Sequence, residues 1–530
     1  MNENTEQWKI SKNAVHSDRG VVASQNWIAS SVGADTLSKG GNAIDAAVSC
    51  AFALNIVEPW MCGLGGSGYI VIWLAKEKIA KVIDFQGTLP NNIHSDDYPL
   101  DPEIPKTIMG FPGVQNSGNE LGYRSITVPG AVSGLSTALE KFGKLGIDSI
   151  LSKTIEIAEI GLPVDWYTTL QIAIEAEDLQ KYKTSSNIYL PNGSPPKPEQ
   201  FIKLGNISNT LKILSEKGAT EFYQGEIAEK ISSDLKEGGS RITFDDLASY
   251  QPLFLEPLVT THRGKQLYTA GENSGGKRLN EAFKYVEDNL DTSIPFGAHS
   301  YLTYAKALNK AFISHRERLQ KTPNHGCTSH MSAVDSEGNM VALTYTLLNR
   351  FGSKVVLPKT GILMNNSVSY FDPRPGFPTS IEGGKRINSS NMCPTICIKD
   401  NNAQFAVGAS GANHIVPCTM QIAAFLLDYD FTLEKAFNLP RIDVNESDTI
   451  TVDPDLGKET ISTLGKHFKL EYAQNLVFPK LYSCPSGVLR DINGINYGIS
   501  DKLSPVAGAA VDGNFNLEKL SPQEIKKSRA

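Results

Sequence analysis

Residues 325–356, HGCTSHMSAVDSEGNMVALTYTLLNRFGSKVV, constrain the fold more than any other stretch of this chain. A strand-like alternation runs through Met331, Ala333 and Asp335, a Ser336-Glu337-Gly338-Asn339 turn follows, and the chain returns through Met340 to Thr346. Period-2 residues around a Glu-Gly-Asn turn predict a β-hairpin. That hairpin carries two threonines, Thr328 and Thr346, at matching ends. A threonine hydroxyl is a weak nucleophile and needs a base within hydrogen-bond reach. A cut just before Thr328 would free an α-amine to act as that base, with a reference pKa of roughly 7.7–8.0. A Thr-Ser pair at a strand start is also ordinary β sequence, so the hairpin by itself leaves both readings open.

At 530 residues the chain exceeds one ordinary domain, so one large or two intimate domains are expected. Hydrophobic residues at 40% and charged residues at 20% suit a globular protein with a sizeable core. A net charge of −7 argues against nucleic acid or anionic membrane as a partner. The first residues, MNENTEQWKISKNAVHSDRG, show no apolar run of signal-peptide length. No segment reaches the length of a membrane span without interruption. The expected location is therefore cytoplasmic. The seven cysteines are odd in number and form no CxxC, which indicates neither a disulfide framework nor a zinc ribbon. His325, Cys327 and His330 would make an incomplete zinc set, so no metal or cofactor is expected.

Along the chain, residues 1–20 read as a polar arm and 20–29 as a strand and turn. A short helix over 30–39 ends at Gly40-Gly41. Asn42 can cap the next helix, NAIDAAVSCAFALNIV, with Asp45 near its positive end. That helix is apolar on nearly all faces and should be buried between layers. Gly63, Gly65 and Gly68 fit GxGxxG, but a dinucleotide site needs a strand before the glycines and a helix after them. Here the order is reversed, so the glycines are read as sites of close backbone approach. Residues 95–121 read as a long loop. Amphipathic helices are predicted near 129–142, 148–160, 168–182, 207–217, 225–237, 243–250, 277–290 and 298–320. After the hairpin come a strand at 361–366, a Pro/Gly loop at 372–385, a second hairpin over 395–409, and a helix at 415–428. The stretch 430–530 reads as edge strands and one helix near 456–466. Gly411 and Ala412 lead into the 415–428 helix, where outward-pointing amides favour negative charge. Such amides suit an oxyanion; a plain glycine turn is the alternative.

TSHMSAVDSEGNMVALTYTL followed by FGSKVVLPKTGILMNN resembles the small-subunit start of the γ-glutamyltransferase family. GGNAIDAAV, the glycine run after Trp60, KVIDFQGTLP, LYTAGENSGG, the Ser389–Thr395 segment and YGISDKLSPVAGAA extend the likeness over roughly residues 20–512. The resemblance implies an α+β fold, the four-layer αββα sandwich of the N-terminal nucleophile hydrolases. It implies self-cleavage between Cys327 and Thr328, giving a large subunit 1–327 and a small subunit 328–530 that stay associated as one intertwined unit. Thr328 would be the nucleophile, Thr346 its hydrogen-bonding partner, and Gly411 with Ala412 the oxyanion donors. Cys327 lies one residue too early in the match to be the nucleophile itself.

Three positions depart from the family pattern. Gln86 stands where the family has an arginine that pairs with the substrate α-carboxylate, and a Gln cannot form that bidentate ion pair. Leu348 and Tyr370 stand where the family places an Asn and an Asp on the substrate amino group. Ser390 and Asn391 remain as polar contacts, and Asn349 could replace the missing Asn by a one-residue shift. Arg318 and Thr328 are only about ten residues apart, so the segment before the cut is short for the family. The expected function is an amide hydrolase or acyltransferase on a small-molecule amide, γ-glutamyl or related. The alternatives are an acylamide hydrolase of different acyl specificity, cephalosporin-acylase-like or oxamate-like, and an uncleaved, inactive binding protein.

Overall fold

The fold is described from a computed structural model for residues 10–107, 109–319, 327–445, 447–473 and 483–520. His325 lies outside these residues. Two antiparallel sheets stack face to face. The first runs, in spatial order, Gly508–Val511, Val21–Ser24, Cys327–Val334, Met340–Leu348, Ser67–Leu74, Ile79–Phe85 and Leu253–Leu255. The second runs Val15–Ser17, Asn496–Ser500, Cys484–Arg490, Asn402–Ser410, Thr395–Lys399, Lys265–Thr269 and Leu258–His262. Val71, Trp73, Val82 and Met340 of one sheet meet Ile396, Ala406 and Val488 of the other in an apolar cluster between them.

A helical layer covers each outer face. The Ala43–Val57 helix is buried at every residue but Asn55 and packs with the Trp27–Ser38, Ala131–Phe142 and Ile147–Ile160 helices over the first sheet. Gly276–Asn289, Ala298–Leu319 and Ile415–Asp428 cover the second. The expected αββα sandwich is therefore the fold. Both sheets draw strands from each side of the Cys327–Thr328 bond, and the two central strands of the first sheet come from after it. Among the described residues no helix is long and apolar enough to cross a membrane.

The buried helix starts where the sequence predicts. Ile44 N and Asp45 N donate to Asn42 Oδ1 at 2.9 and 3.1 Å, and Asn42 N donates to Asp45 Oδ2 at 2.8 Å. Asp45 also accepts from Lys144 N and Leu145 N, so it ties a second helical hairpin to the cap. Asp335, in the turn of the central hairpin, accepts from Ala43 N at 3.0 Å and from Asn339 N at 3.0 Å.

Four expectations need correction. The helix expected over 168–182 is three pieces, Trp166–Ile174, Ala176–Gln180 and Lys183–Tyr189. Residues 361–366 form isolated bridges, because the backbone amides of Met364, Asn365 and Asn366 donate in turn to three separate segments, at Val355 O, Gly65 O and Leu347 O. Cys484–Arg490 is an interior strand, paired on both sides. The first helix begins at Trp27, capped by Asn26, whose side chain accepts from Ile28 N at 3.0 Å.

Replacing Asp45 by Ala strips the acceptor from three backbone amides at a buried junction. The expected loss is about 3 kcal/mol of unfolding free energy in urea. A loss below about 1 kcal/mol would show that the cap does not hold the layer.

Candidate active site

The central hairpin pairs Val334 with Met340, Ser329 with Tyr345 and Cys327 with Leu348. Between Ser329 and Cys327 the register slips, so Thr328 stands alone opposite Thr346 and Leu347. Such a bulge bends and twists the strand that carries the extra residue. Its displaced groups find other partners: Leu347 N donates to Met61 O at 3.0 Å, and Leu347 O accepts from Asn366 N at 3.1 Å. Thr346 Oγ1 accepts from Leu348 N at 2.7 Å. Leu348, Phe351 and Lys354 then adopt φ of 82°, 57° and 66°. Left-handed conformations at non-glycine residues cost of order 1–3 kcal/mol each and cluster where a site needs them.

The glycines after Trp60 explain how the chain passes this bulge. A Cβ on Gly66 would sit 2.5 Å from Thr346 O, and one on Gly68 would sit 2.2 Å from Thr344 O. Gly65 faces Leu363 O in the same way, at 2.3 Å. This is the close backbone approach read from the sequence.

Thr328 is buried, at 4% exposure. Ser329 Oγ donates to Glu58 Oε2 at 2.9 Å. His330 is fully buried, its Nδ1 2.7 Å from Thr344 Oγ1 and its Nε2 3.0 Å from Ser332 Oγ. Burial pushes its pKa down to about 3, so the ring is neutral and occupied by hydroxyls on both nitrogens. Glu58 did not stand out in the sequence reading, and His330 entered it only as a member of an incomplete zinc set. The signal for Glu58 was present: with Asp45 it is the only charged side chain between Gly41 and Leu74.

The sequence-predicted binding residues gather beside the bulge. Ser67 pairs with Thr346 across the strands and its Oγ donates to Gln86 Oε1 at 3.3 Å. Gln86 is fully buried, and its Nε2 reaches Met392 Sδ at 3.8 Å. Tyr370 is buried with its hydroxyl against Ser390. Ser390 Oγ accepts from Met392 N at 3.2 Å. Leu348 and Tyr370 belong to one apolar cluster with Leu89, Phe111, Val368 and Ile387. Arg386 lies behind Gln86, where its guanidinium donates to Gln86 O at 3.0 Å and to Gln251 O at 2.6 Å and lies over the Tyr250 ring.

Asn349 is half-buried, with its backbone N donating to Asn366 Oδ1 at 3.0 Å. Asn391 donates from Nδ2 to Asn413 Oδ1 at 2.9 Å, which fastens its loop to the Gly411 turn. Gly411 and Ala412 both have positive φ, 117° and 52°. A short 3-10 turn over Ala412–His414 intervenes before the Ile415–Asp428 helix, so their amides precede the helix rather than open it. In the same turn His414 sits 2.8 Å from Asp443. Burial opposes its charged form, but the carboxylate outweighs burial and raises the histidine pKa.

Two seven-stranded antiparallel sheets between helical layers, with a buried threonine near the start of a central strand, define the N-terminal nucleophile hydrolase class of fold. A sequence profile described as Gamma-glutamyltranspeptidase matches residues 29–312 and 298–500. The glutathione hydrolase proenzyme of Bacillus subtilis (strain 168) is 30% identical over 502 residues, covering 84% of each chain. The Acylase ACY 1 proenzyme of Pseudomonas sp. (strain SE83) is 30% identical over 471 residues, covering 81% of this chain and 83% of the relative. The chain belongs to the γ-glutamyltranspeptidase family. In fold it is similar to the cephalosporin acylase of Bacillus halodurans, with a TM-score of 0.83 at 22% identity over 96% of this chain and 99% of the other.

Gly66→Ala forces a methyl group against Thr346 O. It should destabilise the protein by about 1–3 kcal/mol, read as a lowered melting temperature. An unchanged melting temperature would mean the bulge has slack that the packing does not suggest.

Proposed function

We propose that the protein is a self-processing threonine amidohydrolase and acyltransferase that cleaves γ-glutamyl or related amide bonds, as in glutathione-like substrates. The observation that carries this reading is Thr328, buried at the bulged start of a central strand with Thr346 across from it. Family membership and the proenzyme descriptions of the relatives support it.

In processing, Thr328 Oγ attacks the Cys327 carbonyl carbon. The peptide C–N bond breaks as the nitrogen takes the hydroxyl proton, and water then hydrolyses the ester. In turnover the new α-amine takes the Thr328 hydroxyl proton while Oγ attacks the substrate amide. The Gly411 and Ala412 amides receive the oxyanion, where loss of one donor costs roughly 2.7–4 kcal/mol of barrier stabilisation. The proton passes to the leaving amine, and water or an amino acid releases the acyl group. Both fragments remain together through the shared sheets.

A second reading of the acyl group is favoured by the surroundings of Gln86. The Gln86 side chain has neutral partners, Arg386 is committed to internal acceptors, and Leu348 with Tyr370 lies in an apolar cluster. A charged glutamyl group left unpaired there would cost several kcal/mol. An acylamide with a small or apolar acyl group fits these neighbours better.

Incubated full-length protein should yield bands of roughly 36 and 22 kDa by share of residues, and Thr328→Ala should yield neither the bands nor turnover. Cleavage that persists in Thr328→Ala would overturn the assignment, and a single uncut, inactive band in wild type would favour a binding protein. A γ-glutamyl anilide assayed beside short N-acyl anilides separates the two acyl readings. Faster release from the γ-glutamyl compound supports the first, and faster release from the acyl compounds the second.

A further inference from the structure

Glu58 has no part in the chemistry above, yet its carboxyl group is buried directly behind the proposed nucleophile strand. It caps the Ala43–Val57 helix and is 3% exposed. Its hydrogen bond from Ser329 falls on the immediate chain neighbour of Thr328. Strand alternation sends the Ser329 side chain to the face opposite His330, toward the helical layer. The helix end therefore grips the strand from behind, one residue away from the attacking hydroxyl.

The turn that follows Glu58 also grips the facing strand. Leu347 N donates to Met61 O, and Phe351 N donates to Trp60 O at 2.9 Å. Tyr345 Oη donates to Ala51 O at 2.6 Å. Glu58 and its turn thus hold both sides of the bulge. The Glu58–Ser329 bond joins segments 271 residues apart, one on each side of the expected cut.

We infer that Glu58 is a positioning residue that keeps the start of the Cys327–Val334 strand seated for both chain cleavage and turnover. This rests on Thr328 being the nucleophile. The groups that face Glu58 are Cys50 on its own helix, Cys62 in the turn, Ser329 and Tyr345 on the hairpin, and Cys484 from the second sheet. None of them is a cation. Lys12, which acts on Cys484, spends its ammonium on the carbonyls of Ser504 and Ala507. An ionised carboxylate among these neighbours is costly. Burial accordingly pushes the Glu58 pKa up to about 8, opposed only in part by the Ser329 hydrogen bond.

A carboxyl whose folded pKa lies above its unfolded value binds its proton more tightly in the fold. Stability then falls as pH climbs from the ordinary carboxylate range, about 4.5, through about 8, and levels off above it. Ionisation would unseat the strand start over the same interval. Glu58→Gln keeps the shape and the acceptor but cannot ionise.

The test compares wild type, Glu58→Gln, Glu58→Leu and Thr328→Ala as full chains, reading fragment formation, turnover and melting temperature across pH. Wild-type processing and turnover should fall on the alkaline side, and Glu58→Gln should carry that limb at least one pH unit higher. From about pH 5 to about pH 9 the Glu58→Gln melting temperature should gain several degrees on wild type. Glu58→Leu, if folded by circular dichroism, should slow both reactions by up to about 100-fold, as misplacement of a reacting group does. Superimposed profiles for wild type and Glu58→Gln, with a pH-independent melting difference, would sink the inference while an inert Thr328→Ala left the nucleophile assignment standing. Cleavage by Thr328→Ala would instead sink that assignment, and the melting comparison would still decide whether Glu58 ionises in the fold.

Discussion

Leu347 gives its amide proton to Met61 rather than to the strand beside it, and the arrangement around Thr328 follows from that bond. A buried amide left without an acceptor costs about 1–3 kcal/mol, so the bulge persists only if another carbonyl comes within reach. Met61 reaches it because the Ala43–Val57 helix ends at Glu58 and the chain turns at once toward the sheet. The turn fits because the residues after it are glycines that can lie against Thr344 O and Thr346 O. Helix end, turn, glycine run and bulge are one mechanical unit, assembled from residues on both sides of the expected cut.

The parts of this unit that repeat were legible in the sequence. The hairpin shows its alternation, the buried helix its unbroken apolar run, and the outer helices their single apolar faces. Contacts made at a distance were not legible. Glu175 interrupts the expected 168–182 helix, with its carboxylate 2.7 Å from Lys354 Nζ and 3.4 Å from Arg350 Nη1 in the strained loop after the hairpin. No local pattern announces those partners. Cys484–Arg490 looks peripheral because a proline and a glycine break its alternation, yet neighbours on both sides place it inside the second sheet. Gln86 and Tyr370 were singled out by position. Only the fold reveals that one is bound to Ser67 and Met392 and the other is packed in a cluster of aliphatic and aromatic side chains.

The apolar cluster around Leu348 is separate from the three larger cores and is built from residues 89–114 and 348–387. Its members are held by loops more than by sheet or helix, so their arrangement can change without disturbing the sandwich. On the proposed reading, that division of labour would let one scaffold keep its reacting strand while the neighbouring wall is rebuilt for different acyl groups.

Chain ends normally lie at protein surfaces. A polypeptide that begins at Thr328 would instead have its first nitrogen at the centre of a seven-stranded sheet, beside a side chain of 4% exposure. Scarce water at that depth disfavours an ammonium ion and makes it a stronger acid than an exposed terminus. On the proposed reading, the depth at which the strand starts would thereby favour the unprotonated amine, without any added titratable side chain.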